Sequence, residues 1–223
     1  MSILELKNVT KSFVDGINVL DNVSLAVEKG DFLSIEGASG SGKSTLLTIM
    51  GGIDMPTEGQ VLLNGVDITE MKERELAILR RREIGFVFQF FNLAPYLTVK
   101  ENILLPIILD GKKTSDYEDS VKEIMEKLGV LQYAKRLPST ISGGEQQRVA
   151  IARGMIFSPS ILLLDEPTGN LDSKNSVAIM ELLKEINEQT GTTIVQVTHS
   201  VENALYGNRR VLIKDGIVKN VKI

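Results

Sequence analysis

The stretch "GASGSGKST", residues 37–45, restricts this chain more than any other part of its sequence. It matches G-x-x-x-x-G-K-[ST] and lies between the apolar segments "FLSI" and "LLTIM". Glycines let consecutive backbone N–H groups point at one anion, and the start of a helix adds partial positive charge. The alternative, a glycine-rich turn without function, does not account for the flanking segments. The loop predicts a strand–loop–helix unit that binds a nucleoside triphosphate.

Two residues of this loop are expected to act directly on the phosphates. Lys43 would reach the β- and γ-phosphates, and the Ser44 hydroxyl would be a ligand of Mg²⁺. The other positions of the predicted loop are Gly37, Ala38, Ser39, Gly40, Ser41, Gly42 and Thr45.

A second motif, "SILLLDEPTG" at residues 160–169, predicts the other half of the same site. Residues 161–164 are typical of a buried strand, and Asp165 follows where the carboxyl end of such a strand meets a ligand crevice. Its carboxylate could hold Mg²⁺, and Glu166 could activate water as a general base. Alternatively, Asp-Glu-Pro merely starts the next helix. The presence of the phosphate-binding loop favours the catalytic interpretation.

Gln89 and His199 are predicted to extend this site. Gln89 ends the apolar stretch "IGFVFQ", where it could contact Mg²⁺ or the attacking water, and His199 ends "TTIVQVTH". At the carboxyl end of another central strand, His199 could hydrogen-bond the γ-phosphate. Taken alone, a glutamine at a strand end is usually a surface residue, and a lone histidine is more often structural.

The composition argues against several classes of protein. A net charge of −4 and a pI near 5.2 argue against a broad nucleic-acid surface. The chain has no cysteine, which excludes disulfides and thiolate metal sites. The apolar stretch at residues 103–109 is far shorter than the ~20 residues of a membrane-spanning helix, and "MSILELKNVTKSF" lacks the features of a signal peptide. Work at a membrane would therefore need a partner.

Apolar patterns predict the order of strands and helices. "ILELKNV" and "VSLAVEKGDFLSIEG" predict several short antiparallel strands before Gly37, and "VLIKDGIV" predicts a hairpin near the C-terminus. "IGFVF", "ILLL" and "TTIVQV" are typical of central strands covered on both faces. Residues 115–128 predict a helix capped by Ser115-x-x-Glu118 and ended by Gly129. The charged residues 70–83 are expected to form a solvated helical face without a function.

The stretch "ISGGEQQRVAIARG", residues 141–154, starts a helix in an unusual way. Ser142-x-x-Glu145 is a capping box, which satisfies two backbone N–H groups. Yet Gly143 and Gly144 follow at once, and a glycine inside a helix costs roughly 1 kcal/mol relative to alanine. Taken alone, the motif is best interpreted as a structural cap, and the rest of the chain changes that interpretation.

In order and spacing, these motifs resemble those of the nucleotide-binding subunits of ATP-binding cassette (ABC) transporters, over essentially the whole chain. Residues 37–45 resemble the Walker A loop, Gln89 the Q-loop, "ISGGEQQ" the signature motif and "ILLLDE" the Walker B strand. "GNLD", which ends at Asp172, resembles the D-loop, and His199 the switch histidine. Phe13 lies where the family has the aromatic residue that stacks on adenine, more often a tyrosine. The signature departs from the commonest Leu-Ser-Gly-Gly-Gln through Ile and Glu.

The resemblance implies a fold and a mechanism. The fold would be that of the P-loop ATPases: a mainly parallel central sheet, an antiparallel β part near the start and a helical insertion. The core would span about 1–90 and 160–223, and a helical subdomain about 91–159. Two copies would pack head to tail around two ATP molecules with Mg²⁺. Ser142, Gly143, Gly144 and Glu145 of one copy would then close over the ATP of the other, which gives the paired glycines a purpose.

The stretch from "IGFVFQ" to "NILLPI" resembles one subgroup, which serves lipoprotein release, macrolide export and resistance to antimicrobial peptides such as bacitracin. The part after Gln89, "FFNLAPYLTVKENILLPIIL", is unusually apolar, and core packing of the helical subdomain would account for about half of its residues. The resemblance implies that another part binds a multi-span permease, so that the subunit would be cytoplasmic and attached to the inner face of the membrane. A related alternative is the cell-division ATPase, which regulates wall hydrolases without transport. A cassette ATPase acting on DNA or the ribosome would need a coiled-coil insertion, a zinc motif or two fused cassettes, and none is visible.

Overall fold

The computed structural model describes residues 2–14 and 16–220. In this part of the chain, ten strands form two sheets and seven α-helices pack around them. The strands are β1 (Ser2–Val14), β2 (Ile17–Glu28), β3 (Phe32–Glu36), β4 (Glu58–Leu63), β5 (Val66–Asp67), β6 (Ile84–Val87), β7 (Ile161–Asp165), β8 (Thr193–Thr198), β9 (Arg209–Lys214) and β10 (Ile217–Asn220). The helices are α1 (Lys43–Met50), α2 (Glu73–Glu83), α3 (Val99–Leu109), α4 (Glu118–Lys127), α5 (Gly143–Met155), α6 (Ser173–Thr190) and α7 (Val201–Ala204).

The two sheets have different characters. The first has the order β2-β1-β4-β5 and is antiparallel throughout. The second has the order β10-β9-β3-β8-β7-β6, in which β3, β6, β7, β8 and β9 are parallel and β10 is antiparallel to β9. The predicted α/β fold, with a mainly parallel sheet and an antiparallel β part near the start, is confirmed.

Two strand predictions differ from the structure. Instead of several short strands before Gly37, β1 and β2 run for 13 and 12 residues, and β3 joins the parallel sheet. Register shifts between β1 and β2 let both strands continue through irregular positions, which include Asn8 and Asn22 with positive φ. The stretch "IGFVF" is not central: β6 ends at Val87 and lies at the end of the sheet order.

Alternate residues of β7 enter two different hydrophobic cores. Ile161 and Leu163 belong to the core between the sheets, which also contains α1. Leu162 and Leu164 belong to the core on the other face, with α3, α4, α5 and α6. Helix α1, which follows the phosphate-binding loop, and helix α5, which begins with the signature glycines, therefore pack on opposite faces of one strand.

Strand β6 and helix α5 meet at a pair of glycines. A Cβ atom on Gly85 would lie 2.5 Å from the carbonyl oxygen of Gly154 and 2.6 Å from Cδ1 of Leu162. Such distances are well inside van der Waals contact, so the backbones can approach this closely because residue 85 has no side chain. The glycine contact thus fixes how the signature helix lies on the sheet.

The helix predicted over 115–128 is partly correct. A 3₁₀ helix covers Thr114–Tyr117, and α4 begins only at Glu118. The predicted cap is wrong, because the Ser115 hydroxyl donates to the neighbouring Asp116 carboxylate instead. The apolar stripe does face the core, and Gly129 follows the helix with a φ of 67°.

The charged stretch 70–83 is more than a solvated face. In α2, Leu76 is buried, and nitrogen atoms of Arg81 and Arg82 lie 2.7 and 2.9 Å from the carboxylate oxygens of Asp110, just after α3. The side chain of Asp110 is 2% exposed, and hydrogen bonds from Arg82 and Arg81 hold its pKa below the usual value. These ion pairs join α2 to the helices that follow β6.

In the described chain, the elements between β6 and β7 are all helical. We propose that about 91–159 forms a helical subdomain on a core of about 1–90 and 160–223. Within the same residues, no helix has the length and apolar character needed to cross a membrane.

Candidate active site

A cavity of about 530 Å³ lies at the carboxyl ends of the parallel strands. Parallel strands end on the same side of a sheet, so the residues that follow β3, β6, β7 and β8 come together there. The residues around the cavity are Val19, Ser39, Gly40, Gly42, Lys43, Ser44, Thr45, Gln89, Glu166 and His199. Segments more than 150 residues apart in the sequence thus share one space.

The phosphate-binding loop is held in a tight concave form. Gly42 precedes α1 with a φ of 99°, which a residue with a side chain rarely adopts. A Cβ atom on Gly37 would lie 2.5 Å from the carbonyl oxygen of Ile213. Lys43 is 7% exposed, and its ammonium donates to the carbonyl oxygens of Gly37 and Ala38 at 2.9 and 2.8 Å. Its positive charge therefore lies inside the curve of the loop.

The hydroxyl groups of the loop suit an anionic ligand and a cation. Ser41 Oγ is buried and has no hydrogen-bond partner within the described residues. Ser44 Oγ donates to Oδ1 of Asp165 at 3.0 Å. Burial raises the pKa of the Asp165 carboxyl, and the negative charge of Glu166 raises it further, while the Ser44 hydrogen bond and Lys43 oppose this. Oxygen donors beside a carboxylate whose charge is costly to bury fit a hard divalent cation.

Glu166 and His199 are in contact with each other. Oε1 of Glu166 lies 2.9 Å from Nδ1 of His199, and its Oε2 accepts a bond from the His199 main-chain N–H at 3.4 Å. The Glu166 side chain is 13% exposed, whereas the His199 side chain is 65% exposed. Glu166 also has a φ of 47°, a left-handed conformation that costs a residue with a side chain about 1–2 kcal/mol.

Gln89 lies two residues beyond the end of β6 and lines the cavity. Its main-chain oxygen accepts a bond from the Asn170 side chain at 2.8 Å. A Cβ atom on Gly169 would lie 2.9 Å from the Gln89 amide nitrogen. The loop after β7 is therefore packed directly against the loop after β6.

Arg153, which the sequence did not single out, holds the segment after Gln89. Its guanidinium donates to the carbonyl oxygens of Asn92 and Phe91 at 2.6 and 2.9 Å. These two residues have φ values of 48° and 60°, a left-handed conformation that is costly for a bulky residue such as Phe91, and the Arg153 bonds help to hold it. Burial lowers the pKa of the Arg153 guanidinium. No local pattern indicates this contact, because the residues are about 60 positions apart.

The signature residues form the start of α5 and lie apart from the cavity lining given above. Ser142 is exposed, and the predicted capping box is present: the Glu145 main-chain N–H donates to Ser142 Oγ, and the Ser142 main-chain N–H donates to Glu145 at 2.6 Å. A hydrogen bond from Tyr133, and then the bonds from Ser142, lower the pKa of Glu145. A Cβ atom on Gly144 would lie 2.7 Å from Oδ1 of Asn175.

Asp172 caps α6 beside the signature. Its carboxylate accepts bonds from the main-chain N–H and the side-chain amide of Asn175 at 2.8 and 2.7 Å, and these bonds lower its pKa. Because Asn175 also lies against Gly144, the predicted D-loop and signature are neighbours within one chain.

The alternative in which Asp165, Glu166 and Pro167 start a helix does not apply, since α6 begins at Ser173.

Phe13 is not among the residues that line the cavity. It lies near the end of β1, 61% exposed, with the Lys11 ammonium 4.8 Å from its ring centre. Val19, from the paired strand β2, does line the cavity. Stacking of adenine on Phe13 stays a prediction.

A larger cavity of about 610 Å³ lies at the opposite end of the sheet, near Ser160 and Thr192, away from the phosphate-binding loop.

Comparison with known proteins gives consistent results. The sequence profile of the family described as "ABC transporter" matches residues 20–169. A lipoprotein-releasing system ATP-binding protein from Aquifex aeolicus is 47% identical over 97% of this chain and 96% of its own length. A bacitracin export ATP-binding protein from Halalkalibacterium halodurans is 43% identical over 97% of this chain and 87% of its own length.

A solved structure gives the same result for the fold. The structure is that of the ATP-binding cassette MJ0796 of Methanocaldococcus jannaschii as a dimer in a post-hydrolysis state, bound to ADP and Pi. Its TM-score is 0.88 at 42% sequence identity, and the similarity covers 99% of both chains.

Proposed function

Because the chain is an ATP-binding and ATP-hydrolysing member of the ABC transporter family, we propose that two copies of it close around two ATP molecules and drive a membrane permease. The observation that carries this proposal is the cavity in which Lys43, Ser44, Glu166 and His199 face one space at the ends of the parallel strands. A site of this kind, together with a separate signature whose Ser142 is exposed, suits a clamp that ATP closes.

Each charged residue of the cavity has a role in hydrolysis. Lys43 and the N–H groups of the loop bind the phosphates and neutralise the charge that grows on them during phosphoryl transfer. Glu166 accepts a proton from the attacking water. His199, which is exposed and contacts Glu166 at 2.9 Å, hydrogen-bonds the γ-phosphate when ATP is bound. Its movement towards the phosphate frees Oε1 of Glu166 for the water.

Ser44 and Asp165, which bond each other, are the residues that would hold Mg²⁺, together with Gln89 from the cavity lining. A cation held there would supply charge neutralisation for the phosphates. It would also give Asp165, whose burial disfavours its negative charge, a counter-charge.

The second copy completes the site. The chain has one phosphate-binding loop and one signature, and the signature residues do not line the cavity of their own chain in the described structure. In the first turn of α5, the N–H groups of Gly143 and Gly144 have no carbonyl partner within the helix. With the exposed Ser142 hydroxyl they suit the γ-phosphate of ATP held by the other copy. Hydrolysis removes that contact, and the clamp opens.

A mixing experiment tests this arrangement. Lys43→Ala removes phosphate binding, and Ser142→Arg blocks the signature, so we expect each purified variant to be inactive. A mixed dimer regains one complete site, because it combines the intact loop of one variant with the intact signature of the other. An equal mixture should hydrolyse ATP at about a quarter of the wild-type rate, since about half of its dimers are mixed and have one of two sites.

The control for the mixing experiment is the double variant Lys43→Ala/Ser142→Arg. Mixed with either single variant it forms no complete site, so it should restore no activity. Restoration by the double variant, or no restoration by the two single variants under conditions in which wild type dimerises, would argue against the head-to-tail clamp.

Exposed apolar side chains in residues 90–109 support a permease as the partner. Phe90, Tyr96, Ile108 and Leu109 are between 50% and 93% exposed. The buried Asn102 side chain bonds the carbonyl oxygens of Ala94, Leu97 and Thr98, which ties the loop before α3 to that helix. Exposed apolar side chains in the segment that follows Gln89 suit contact with a cytoplasmic segment of a membrane protein. The subunit would then lie on the inner face of the membrane.

Capture from membranes tests the partner. The Glu166→Gln variant, tagged and held closed with ATP, should recover a multi-span permease from the membranes of its own cell, identified by mass spectrometry. Adding Tyr96→Asp and Leu109→Asp should abolish recovery, because a charge on a buried apolar contact is costly. Adding Val66→Asp, on an exposed residue of β5, should not. Recovery of soluble proteins alone, or equal recovery by all variants, would contradict the proposal.

The substrates that we propose for the permease are taken from the similar proteins. One relative is a lipoprotein-releasing system protein and another is a bacitracin export protein. We therefore propose that the permease releases lipoproteins, or exports or gives resistance to antimicrobial peptides or macrolides. The comparisons do not favour the cell-division alternative.

A further inference from the structure

A chain of hydrogen bonds runs from the central sheet to the loop that carries Glu166. Nε2 of the buried Gln196, in β8, bonds Ser34 Oγ in β3 and the main-chain oxygen of Asn203 in α7, both at 2.8 Å. The Asn203 side chain then donates to Oγ1 of Thr168 at 2.7 Å. Asn203 therefore connects two strands of the sheet with the loop after β7.

The position of α7 is set by the sheet rather than by the helix itself. A helix of four residues has almost no stability of its own. A Cβ atom on Gly207, just after it, would lie 2.4 Å from Ser34 Oγ, and the Asn208 side chain accepts a bond from the Phe32 main-chain N–H at 3.0 Å. These contacts hold α7 against the sheet, in a position from which Asn203 bonds Thr168.

The loop that Thr168 belongs to needs support. Glu166 has a left-handed backbone conformation, which persists only where neighbouring contacts impose it. Two main-chain hydrogen bonds help to hold it. The Glu166 N–H donates to the main-chain oxygen of Val197 at 3.1 Å, and the Gly169 N–H donates to the main-chain oxygen of Glu166 at 3.0 Å. The side chain of Thr168, a residue 6% exposed, provides a further tie from within the same turn.

We propose that Asn203 and Thr168 are positioning residues for ATP hydrolysis: their hydrogen bond fixes the turn that aims the Glu166 carboxylate into the cavity. This inference rests on the proposed role of Glu166 as the base. Neither residue lines the nucleotide cavity, so each acts through Glu166. Loss of the bond lets the turn relax, and a misplaced base lowers the rate of the chemical step while phosphate binding at Lys43 continues.

The test uses variants that change one bond with little change in shape. Thr168→Val keeps the volume and removes the acceptor, whereas Thr168→Ser keeps the hydroxyl. We expect Thr168→Val and Asn203→Leu each to lower kcat about tenfold with little change in the KM for ATP, and Thr168→Ser to stay near wild type. The double variant should be little worse than either single variant, because both remove the same bond.

Thr190→Val is the matched control, since the Thr190 hydroxyl bonds a helix carbonyl at the far end of α6. It should change the melting temperature without changing kcat. Asn203→Leu gives the same test from the other side if Thr168→Val folds poorly.

Two results would overturn the inference. The bond would be purely structural if both variants lowered the melting temperature and kept kcat. It would serve nucleotide binding if KM rose and kcat stayed constant. A third result concerns the proposed function instead. If Glu166→Gln hydrolysed ATP at the wild-type rate, Glu166 would not be the general base, whatever the effects of the Thr168 and Asn203 variants.

Discussion

Replacing Glu166 by Gln is expected to lower the rate of ATP hydrolysis at least about 100-fold, the usual contribution of a general base. Glutamine has nearly the same shape and can still bond His199, 2.9 Å from the present carboxylate. It cannot accept a proton from water at neutral pH. The binding of ATP, which we assign to Lys43 and the loop, should remain close to that of wild type. Phosphate release and nucleotide binding measured on the same preparation check both statements.

The same variant should accumulate as a dimer. ATP that is bound but not hydrolysed keeps its γ-phosphate, and with it the contacts that the clamp proposal assigns to Ser142 of the second copy. Sedimentation or light scattering with ATP and Mg²⁺ should show dimers for Glu166→Gln and fewer for wild type. Addition of ADP in place of ATP should give monomers.

Glu202→Gln is the control for charge alone, because Glu202 is an exposed carboxylate in α7, close in sequence to His199. It should hydrolyse ATP like wild type. A Glu166→Gln protein that remained monomeric with ATP and Mg²⁺ at high concentration would contradict the clamp, and one with undiminished hydrolysis would contradict the assignment of the base.

The second large effect concerns stability. Gly85→Ala would place a methyl group 2.5 Å from the Gly154 carbonyl oxygen, which is part of a helix backbone and cannot turn away. Overpacking of this kind typically costs about 1–3 kcal/mol. For a chain of this size, a cost of about 2 kcal/mol lowers the melting temperature by about 4–8 °C. Thermal unfolding followed by circular dichroism measures it.

Gly154→Ala is the matched control from the other side of the contact. Its Cβ would lie 3.3 Å from Cδ1 of Leu162, 3.6 Å from Cγ2 of Val87 and 3.7 Å from the backbone Cα of Gly85. The backbone distance is an ordinary van der Waals contact and the two side chains can adjust, while alanine is favoured over glycine in a helix by about 1 kcal/mol. We therefore expect a small change in melting temperature. An equal loss in both variants would show that the backbone contact is not the cause.

Much of the fold and the composition of the cavity could be predicted because the relevant signals are local. The glycine spacing of residues 37–45 specifies a strand–loop–helix unit, and "ILLL" before Asp165 specifies a buried strand. Since parallel strands end on one side, these two segments, Gln89 and His199 could be assigned to one edge before any coordinates. Their roles in hydrolysis remain predictions.

The contacts that support the site could not be predicted, because they join residues that are distant in the sequence. Arg153 bonds Phe91 and Asn92, and Asn203 bonds Thr168, with no spacing that marks either pair. The edge position of β6 could not be predicted either, but for a different reason. Its apolar residues pack against α5, and an apolar run looks the same whether strands or a helix cover it.

Helix α5 connects the signature at its start to the segment that Arg153 binds near its end. Its 13 residues form a rod about 20 Å long, with Ser142 at one end and Arg153 close to the other. Arg153 grips Phe91 and Asn92, directly before the apolar residues of 94–109. The close glycine contact with β6 leaves the helix little room to bend or slide against the sheet. In the proposed clamp, a displacement of Ser142 by the nucleotide of the other copy would therefore be transmitted along α5 to the segment proposed to bind the permease.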